Sequence, residues 1–460
     1  MKTVAMYALT LSPFAAVGQK VGTLQTEEHP ALTMQTCTKH GCTTEDKSVV
    51  IDANWRWTED GKGTNCYDGN LWNDELCPTT QAGAEACGEN CTVEGASYES
   101  TYGISASGSA LKLGFVTSGA NTNVGSRSYL LDESTSKYEM FYLKNREFTL
   151  DVDVSTLPCG LNGALYFVEM AEDGGLSEFE NNNAGAAYGT GYCDAQCPHD
   201  IKYMNGEANV IDWVPTSANS GMGHYGSCCT ELDIWEANSI SHATTPHVCT
   251  VEGQTRCEGT DCGDNASGDR YNGVCDKDGC DFAPFRLGNQ TYYGPGDEFV
   301  LDSTKPFTLV TQFITTDGTD SGDLAEIRRF YVQDGKTIEN PTVTVGDNAY
   351  DSITDQFCAE QKSVFGDTDD FSAKGGLKAM GEVLDRGLVL VMSIWDDYDV
   401  NMLWLDSTYP TDADPSTPGV YRGTCSTDSG VPADVESENP NAYVTYSDIK
   451  VGPIGSTTSA

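Results

Sequence analysis

The segment Cys228–Asn238, CCTELDIWEAN, places three carboxylates within six residues: Glu231, Asp233 and Glu236. On a strand, Glu231 and Asp233 are two apart and share a face, whereas Glu236, five from Glu231, faces away if the strand is regular. A bulge or bend near Ile234 and Trp235 is needed to bring all three into one cleft. Like charges crowded on one strand repel, so the arrangement asks for a purpose. Glycoside hydrolysis is one, because it sets a carboxylate nucleophile and a protonated carboxyl on the same glycosidic bond. The third carboxylate then holds the nucleophile, and the repulsion keeps the acid protonated. A calcium cage and a solvated strand face use the same residue types, and spacing alone fits all three readings.

The seven tryptophans add a second pattern. Tryptophan is more often core than ligand platform. Trp55-Arg56-Trp57 and Trp395-Asp396-Asp397 nevertheless set indoles beside charged groups, the mixture that stacks on the flat C–H faces of sugar rings and binds their hydroxyls. To position such residues the chain offers strand-like runs at 48–57, 110–116, 147–154, 163–170, 230–235, 307–313, 327–332, 388–395, 401–405 and 442–451. Only 352–366 and 375–386 read as helices, each with apolar residues on one face. Long loops rich in Gly, Asn, Asp, Ser and Cys separate them. The expected fold class is all-β, an antiparallel sandwich or jelly roll whose decorated loops build a binding surface.

With 69 acidic against 26 basic residues, the formal charge of −43 excludes a nucleic-acid backbone as partner. Hydrophobic residues at 38% and aromatics at 10% support a folded core rather than disorder. Residues 1–18, with Lys2, an apolar stretch from Val4 to Val17 and small residues before Gln19, read as a secretory signal peptide. The apolar stretch, interrupted by Pro13, is too short for a membrane anchor. Residues 19–460 show no linker or repeat and read as one catalytic-size domain. The 18 cysteines of an exported chain read as nine disulfides, with structural zinc the rival because of the short spacings 257–262 and 275–280. No dinucleotide, phosphate-loop, zincin or nucleophile-elbow motif is present, so no cofactor and no metal are expected. Asn265-Ala-Ser267, Asn289-Gln-Thr291 and Asn90-Cys-Thr92 are glycosylation sequons.

ELDIWEANS, NWRWT (54–58), GLNGALYFV (160–168), GTGYCDAQCP (189–198), LWLDSTYP (403–410) and SDIKVGPIG (447–455) together mark a resemblance over nearly the whole chain. The sequence resembles glycoside hydrolase family 7, and within it the cellobiohydrolases. That resemblance implies a curved β-jelly roll with a cellulose-binding tunnel, and retaining hydrolysis of β-1,4 bonds that releases cellobiose from reducing chain ends. It assigns Glu231 as nucleophile, Asp233 as its hydrogen-bonding assistant and Glu236 as general acid/base. It gives Trp57, Trp55, Trp395 and Trp404 as sugar platforms. Arg127, Asn162, Tyr166, Tyr192, Asp194, Gln196 and Lys202 are implied as polar lining on the glycone side, and His247 as a residue near the catalytic centre. Arg270, Asp278, Asp281, Arg286 and Arg422 are implied on the product side. The resemblance pairs Cys37 with Cys42, Cys66 with Cys91, Cys77 with Cys87, Cys159 with Cys425, Cys193 with Cys229, Cys197 with Cys228, Cys249 with Cys275, Cys257 with Cys262, and Cys280 with Cys358. A further bridge common in the family is replaced by Gly22 and Thr92.

The retained segments 257–280 and 367–386 favour a loop-covered tunnel over the open cleft of the family's endoglucanases. Where many cellobiohydrolases face two tyrosines across the roof, this chain has Ala266 and Asp399, so a looser roof is expected. With GPIGSTTSA as its last residues, the sequence is expected to carry no linker or cellulose-binding module. The partners implied are cellulose chains and cello-oligosaccharides, with no membrane and a monomeric enzyme. The excess acidity suits solubility in salt, against the alternative of an acidic medium that neutralises many carboxylates.

Overall fold

Residues 19–119, 121–264 and 269–458 are described in a computed structural model of the chain. The signal-peptide reading and the sequon at Asn265, together with Ala266, lie outside the described residues. Apolar alternation builds β1 (Ala31–Thr38), β2 (Gly41–Ile51), β3 (Ser126–Leu131), β4 (Arg146–Asp153), β5 (Leu161–Val168), β6 (Glu231–Ala237), β7 (His242–His247), β8 (Phe307–Thr315), β9 (Leu324–Gln333), β10 (Lys336–Glu339), β11 (Leu388–Asp396) and β12 (Tyr443–Pro453). They join edge to edge as β7-β6-β5-β11-β3-β2-β1-β12-β4-β8-β9-β10. Every neighbouring pair in this path is antiparallel except β1 with β12, which run parallel through Gln35–Lys450 and Thr36–Val451.

Strands distant in that path meet face to face, which makes the sheet a sandwich. Phe148 of β4 packs on Phe167 of β5 at 5.0 Å between ring centroids, and Trp235 of β6 on Phe307 of β8 at 5.4 Å. Along β5, Leu161, Leu165 and Phe167 enter this core, and along β11 Leu388, Leu390, Met392 and Ile394 do the same. Each such side chain stabilises the fold by roughly 1.5–3 kcal/mol relative to exposure. Gly163 has no side chain because a Cβ there would lie 2.8 Å from Leu157 and 3.1 Å from Val444 of the facing strand. The intervening residues Ala164, Tyr166, Val168, Val389 and Val391 turn to the opposite, concave face.

Two strand expectations are corrected. The run 48–57 leaves the sheet at Ile51, because the Asp52 carboxylate accepts from the Asn54 amide at 2.6 Å and caps a 3-10 turn at Ala53–Trp55. The run 401–405 is not a strand: Asn401 and Met402 take positive φ of 58° and 61° and lead into the helical turn Leu403–Asp406. The two expected helices appear as Asp355–Phe365 and Gly376–Arg386. Sequence periodicity misses Gln81–Asn90, a helix without an apolar stripe, capped by the Thr80 hydroxyl and tied down by disulfides at Cys87 and Cys91. It also misses the short helices Tyr98–Tyr102, Asp370–Ala373 and Pro432–Glu438.

All nine implied cysteine pairs are bonded, and among the described residues no cysteine is free. At the replaced bridge, the Gly22 amide donates to the Val93 carbonyl at 2.8 Å, and a Cβ at Gly22 would run into the Glu94 carboxyl. The Thr92 hydroxyl donates to Glu59 at 2.6 Å. A carboxyl pair thus fills the space that a bridge takes. Among the described residues no helix is long and apolar enough to cross a membrane.

Candidate active site

The bulge expected from the carboxylate spacing lies at Ile234. Against β5, Trp235 pairs with Leu165 and Asp233 with Tyr166, so Ile234 is the extra residue; against β7 the register shifts between Asp233 and Glu236. Ile234 and Trp235 therefore both turn into the core, each 0% exposed. Stacking of Trp235 on His242 at 4.8 Å, with the edge of Tyr293 at 5.8 Å, holds that orientation. As a result Glu231, Asp233 and Glu236 all line one cavity of about 700 Å³ on the concave face.

Each carboxylate has a different partner. Asp233 Oδ2 lies 3.1 Å from His247 Nε2, and His247 Nδ1 donates to the Asp276 carbonyl at 2.9 Å. Burial opposes charge on His247, but the hydrogen bond and negative charge of Asp233 outweigh it and raise its proton affinity to about 9. With both nitrogens on acceptors the ring is an imidazolium. Glu231 accepts from the Ala195 amide at 3.0 Å, yet burial, followed by the charges of Asp233 and Asp194, pushes its pKa well up. Glu236 accepts from Asn162 Nδ2 at 3.0 Å, and burial and then Asp233 raise its pKa well above the ordinary value. Asn162 is fixed in turn by the Ala237 amide donating to its Oδ1 at 3.0 Å. A pair of carboxyls with elevated proton affinity beside a charge-balanced third suits proton transfer to a leaving group. The oxygens of the three do not gather within ion-ligating distance of one another; the groups that do are built around disulfide-bonded cysteines.

Around this trio the cavity wall collects most of the expected binding residues. Trp55, Arg127, Tyr166, Tyr192, Asp194 and Gln196 line it. The Arg127 guanidinium sits 3.2 Å over the Tyr192 ring and 5.2 Å from Trp55, and its Nε donates to Asp52 at 2.9 Å. The Tyr192 hydroxyl donates to Asp194 at 2.6 Å and lies 2.8 Å from that of Tyr166; burial raises the pKa of Asp194. Gln196 Nε2 donates to the Lys277 carbonyl at 2.8 Å. Arg270, Asp278, Asp281, Arg286 and Arg422 line it as well. Arg270 Nε donates to Asp278 at 2.7 Å, and Arg286 bonds both Asp281 and, at 3.1 Å, Asp367. Half-buried Arg422 has its proton affinity pulled down to about 10 by desolvation and then by the neighbouring charge of Arg286. In the same wall Trp395 and Trp404 stack at 6.5 Å with 27° between their planes.

Three expected residues do not line this cavity. Asn162 is fully buried and reaches it only through Glu236. Trp57 donates from its indole to Asn65 at 2.8 Å, and Lys202 sits 4.6 Å over the Tyr67 ring, where burial lowers its proton affinity to about 8. Asp200, Lys277, Thr245 and Tyr409, which the sequence reading did not single out, also line the wall, and Asp397, read from the sequence as a charged neighbour of Trp395, organises it. The Asp397 carboxylate accepts from the amides of Asp399, Val400 and Met402 at 2.9, 3.1 and 3.1 Å and from the Trp404 indole at 3.2 Å. Its place beside Trp395 was the only signal in the sequence.

Comparison with known proteins bears on this geometry. The profile described as glycosyl hydrolase family 7 matches residues 21–458. A crystal structure of a GH7 family cellobiohydrolase from Daphnia pulex is 59% identical, with a TM-score of 0.93, covering 96% of this chain and 100% of its own. A cellobiohydrolase from Melanocarpus albomyces, complexed with cellotetraose, is 46% identical with a TM-score of 0.88, covering 95% and 99%. The Humicola insolens endocellulase EGI is 37% identical with a TM-score of 0.79, covering 95% and 100%. A profile match over almost the entire chain, with relatives this similar from end to end, means that the chain belongs to glycosyl hydrolase family 7.

Proposed function

We propose that this chain is a cellobiohydrolase that cleaves β-1,4 bonds in cellulose with retention and releases mainly cellobiose from reducing chain ends. The observation that carries the reading is the Ile234 bulge, which turns Glu231, Asp233 and Glu236 into one cavity while His247 balances Asp233. In the first step the ionised Glu231 attacks the anomeric carbon as Glu236 gives its proton to the glycosidic oxygen, and the carbon–oxygen bond to the leaving sugar breaks. In the second step Glu236 takes a proton from water, the water oxygen joins the anomeric carbon, and the bond to Glu231 breaks. Asp233, held by His247, orients the nucleophile. Trp395 and Trp404 offer ring faces to sugars on either side of the scissile bond, with Trp55 and Trp57 farther along. Arg127, Asn162, Tyr166, Tyr192, Asp194, Gln196 and Lys202 serve the glycone side, and Arg270, Asp278, Asp281, Arg286 and Arg422 hold the product.

The test is cellobiose release from crystalline cellulose with the anomeric form followed by NMR. Wild type should yield β-anomer first, and Glu231→Gln should lose activity while still binding cellulose. Hydrolysis by neither protein, with binding intact, would turn the reading into a carbohydrate-binding sandwich. An endoglucanase reading is favoured by one feature, the exposed Asp399 at the rim where an aromatic roof is otherwise expected. Product profiles separate the two: a soluble-to-insoluble reducing-sugar ratio well above unity marks chain-end action, and rapid viscosity loss of carboxymethylcellulose marks internal cutting. Nine disulfides support export from the cell after removal of residues 1–18, with 19–460 acting as one monomeric catalytic unit. Exposed Asn90 and half-buried Asn289 are the glycosylation candidates among the described residues.

A further inference from the structure

Arg56 stands between the indoles of Trp55 and Trp57 and turns away from both. It leaves the Ala53–Trp55 turn in extended conformation, with φ −72° and ψ 150°, and in such a chain neighbouring side chains point to opposite sides. Arg56 is 1% exposed, whereas Trp55 and Trp57 stay half-buried. Its guanidinium therefore does not bind sugar hydroxyls, the role that its place between two indoles suggests. Nε donates to the Ile51 carbonyl at 3.3 Å. Nη1 donates to Glu27 Oε2 at 2.6 Å and to the Glu94 carbonyl at 3.2 Å, and Nη2 to Glu27 Oε1 at 3.0 Å and to the Tyr98 hydroxyl at 3.2 Å. All five N–H groups of the fork are thus used inside the fold.

Glu27, its side chain 8% exposed, is equally occupied. Oε1 accepts from the Tyr98 hydroxyl at 2.5 Å and lies 3.1 Å from His29 Nε2, while Oε2 accepts from the Ala96 amide at 2.8 Å. Burial opposes its charge, but hydrogen bonds from His29 and Arg56 hold its pKa down to about 2. Three separate segments converge here: 27–29, 94–98, and 187–188, where the Ala187 carbonyl lies 2.8 Å from His29 Nε2 and the Tyr188 ring 5.1 Å from the guanidinium. The backbone between the indoles is fixed with them. The Arg56 amide donates to the Ala53 carbonyl at 3.1 Å, and the Trp57 carbonyl accepts from the Glu94 amide at 3.0 Å. Apolar side chains of like volume fill a core as stably as a buried ion pair does. What they do not do is fix a chain direction through five directed bonds.

We propose that Arg56, clamped by Glu27, is the positioning residue for the two indoles: it fixes the backbone from which Trp55 and Trp57 project, so that both rings stand ready for the sugars of a long cellulose chain. The proposal rests on the reading of these tryptophans as sugar platforms. Its effect is selective, because only ligands long enough to reach the rings feel it.

Kinetics on a long and a short substrate test it. In Arg56→Lys and Glu27→Gln, KM for cellohexaose should rise about tenfold, equivalent to roughly 1.4 kcal/mol, with kcat held within about twofold. KM for a chromogenic cellobioside, which fills two sugar sites only, should not change. The dissociation constant of cellohexaose, read from tryptophan fluorescence in a Glu231→Gln background that spares the ligand, should rise by the same factor. Glu27→Leu combined with Arg56→Met should regain the Tm that either single variant loses and yet keep the high KM. If Arg56→Lys does not fold, the double variant and Tyr98→Phe, with a smaller rise in KM, still decide. Equal losses on both substrates, an unchanged cellohexaose constant in the folded variants, or a double variant that restores KM together with Tm overturns the proposal. Should wild type hydrolyse neither substrate, that failure belongs to the catalytic reading, and the fluorescence constants decide the role of Arg56 alone.

Discussion

His247 faces an acceptor with each ring nitrogen, the Asp233 carboxylate on one side and the Asp276 carbonyl on the other, and this keeps it cationic where a free imidazole would be neutral. The pair also explains how three acidic side chains share one strand without tearing it open: one negative charge is neutralised, and burial with charge repulsion raises the proton affinity of the other two, which lowers the charge they carry together. Raising the His247 pKa from 6.5 to about 9 means that the native state binds its proton more tightly than the unfolded chain. Its stabilising contribution is complete below the unfolded value and is lost as pH climbs through the folded one. Calorimetry should therefore show Tm declining between about pH 6.5 and 9, with a shallower decline in His247→Gln; equal slopes would mean that the ion pair is not formed. The same variant should lower kcat by roughly 10–100-fold, because a misaligned Asp233 no longer holds Glu231 in line. Loss of the Glu236 proton should set the alkaline limb of the wild-type rate profile.

At the scale of elements, the site depends on two departures from regular structure. The bulge in β6 is legible because three carboxylates two and three residues apart reach one face only if an extra residue is inserted. The turn after β11 is not legible. Met402, Leu403 and Leu405 look like half of a buried strand, and all three are indeed buried, but through a left-handed reversal and one helical turn that alternation cannot register. Asp397 writes that turn by taking three amides and the Trp404 indole. Asp397→Ala should cost about 2–3 kcal/mol in chemical denaturation, since four donors lose their shared acceptor. It should also release Trp404, so that KM for long cello-oligosaccharides rises more than kcat falls; an unchanged KM would show that Trp404 keeps its place without the carboxylate. The failed strand reading at 52–57 has the same origin, a short-range carboxylate cap at Asp52 that overrides the apolar pattern.

Over the whole molecule, the charge of −43 is far beyond what the three carboxylates of the candidate site account for. The nine bridges and the sandwich core let the chain carry it, because self-repulsion acts on a scaffold whose long loops cannot spread. Cys159–Cys425 closes a separation of 266 residues and ties the start of β5 to the segment beyond the Trp404 turn. Salt screens that repulsion within a Debye length of about 3 Å at 1 M, so activity and Tm should hold or rise from low to molar sodium gluconate. A sharp loss would instead favour adaptation to an acidic medium.

The sequence by itself determined the β class, the family resemblance, the cysteine pairing that it implied, and the carboxylate trio with its need for a bulge. Those properties reside in residue identity and in spacing along a few neighbouring positions, where the period of a strand constrains what can share a face. Only the tertiary structure decided that Asn162 acts through Glu236, that His247 pairs with Asp233, and that Trp57 and Lys202 stand apart from the main cavity. Each depends on strands brought together from distant parts of the chain, and burial changes the energy of a charge in ways that no local spacing records.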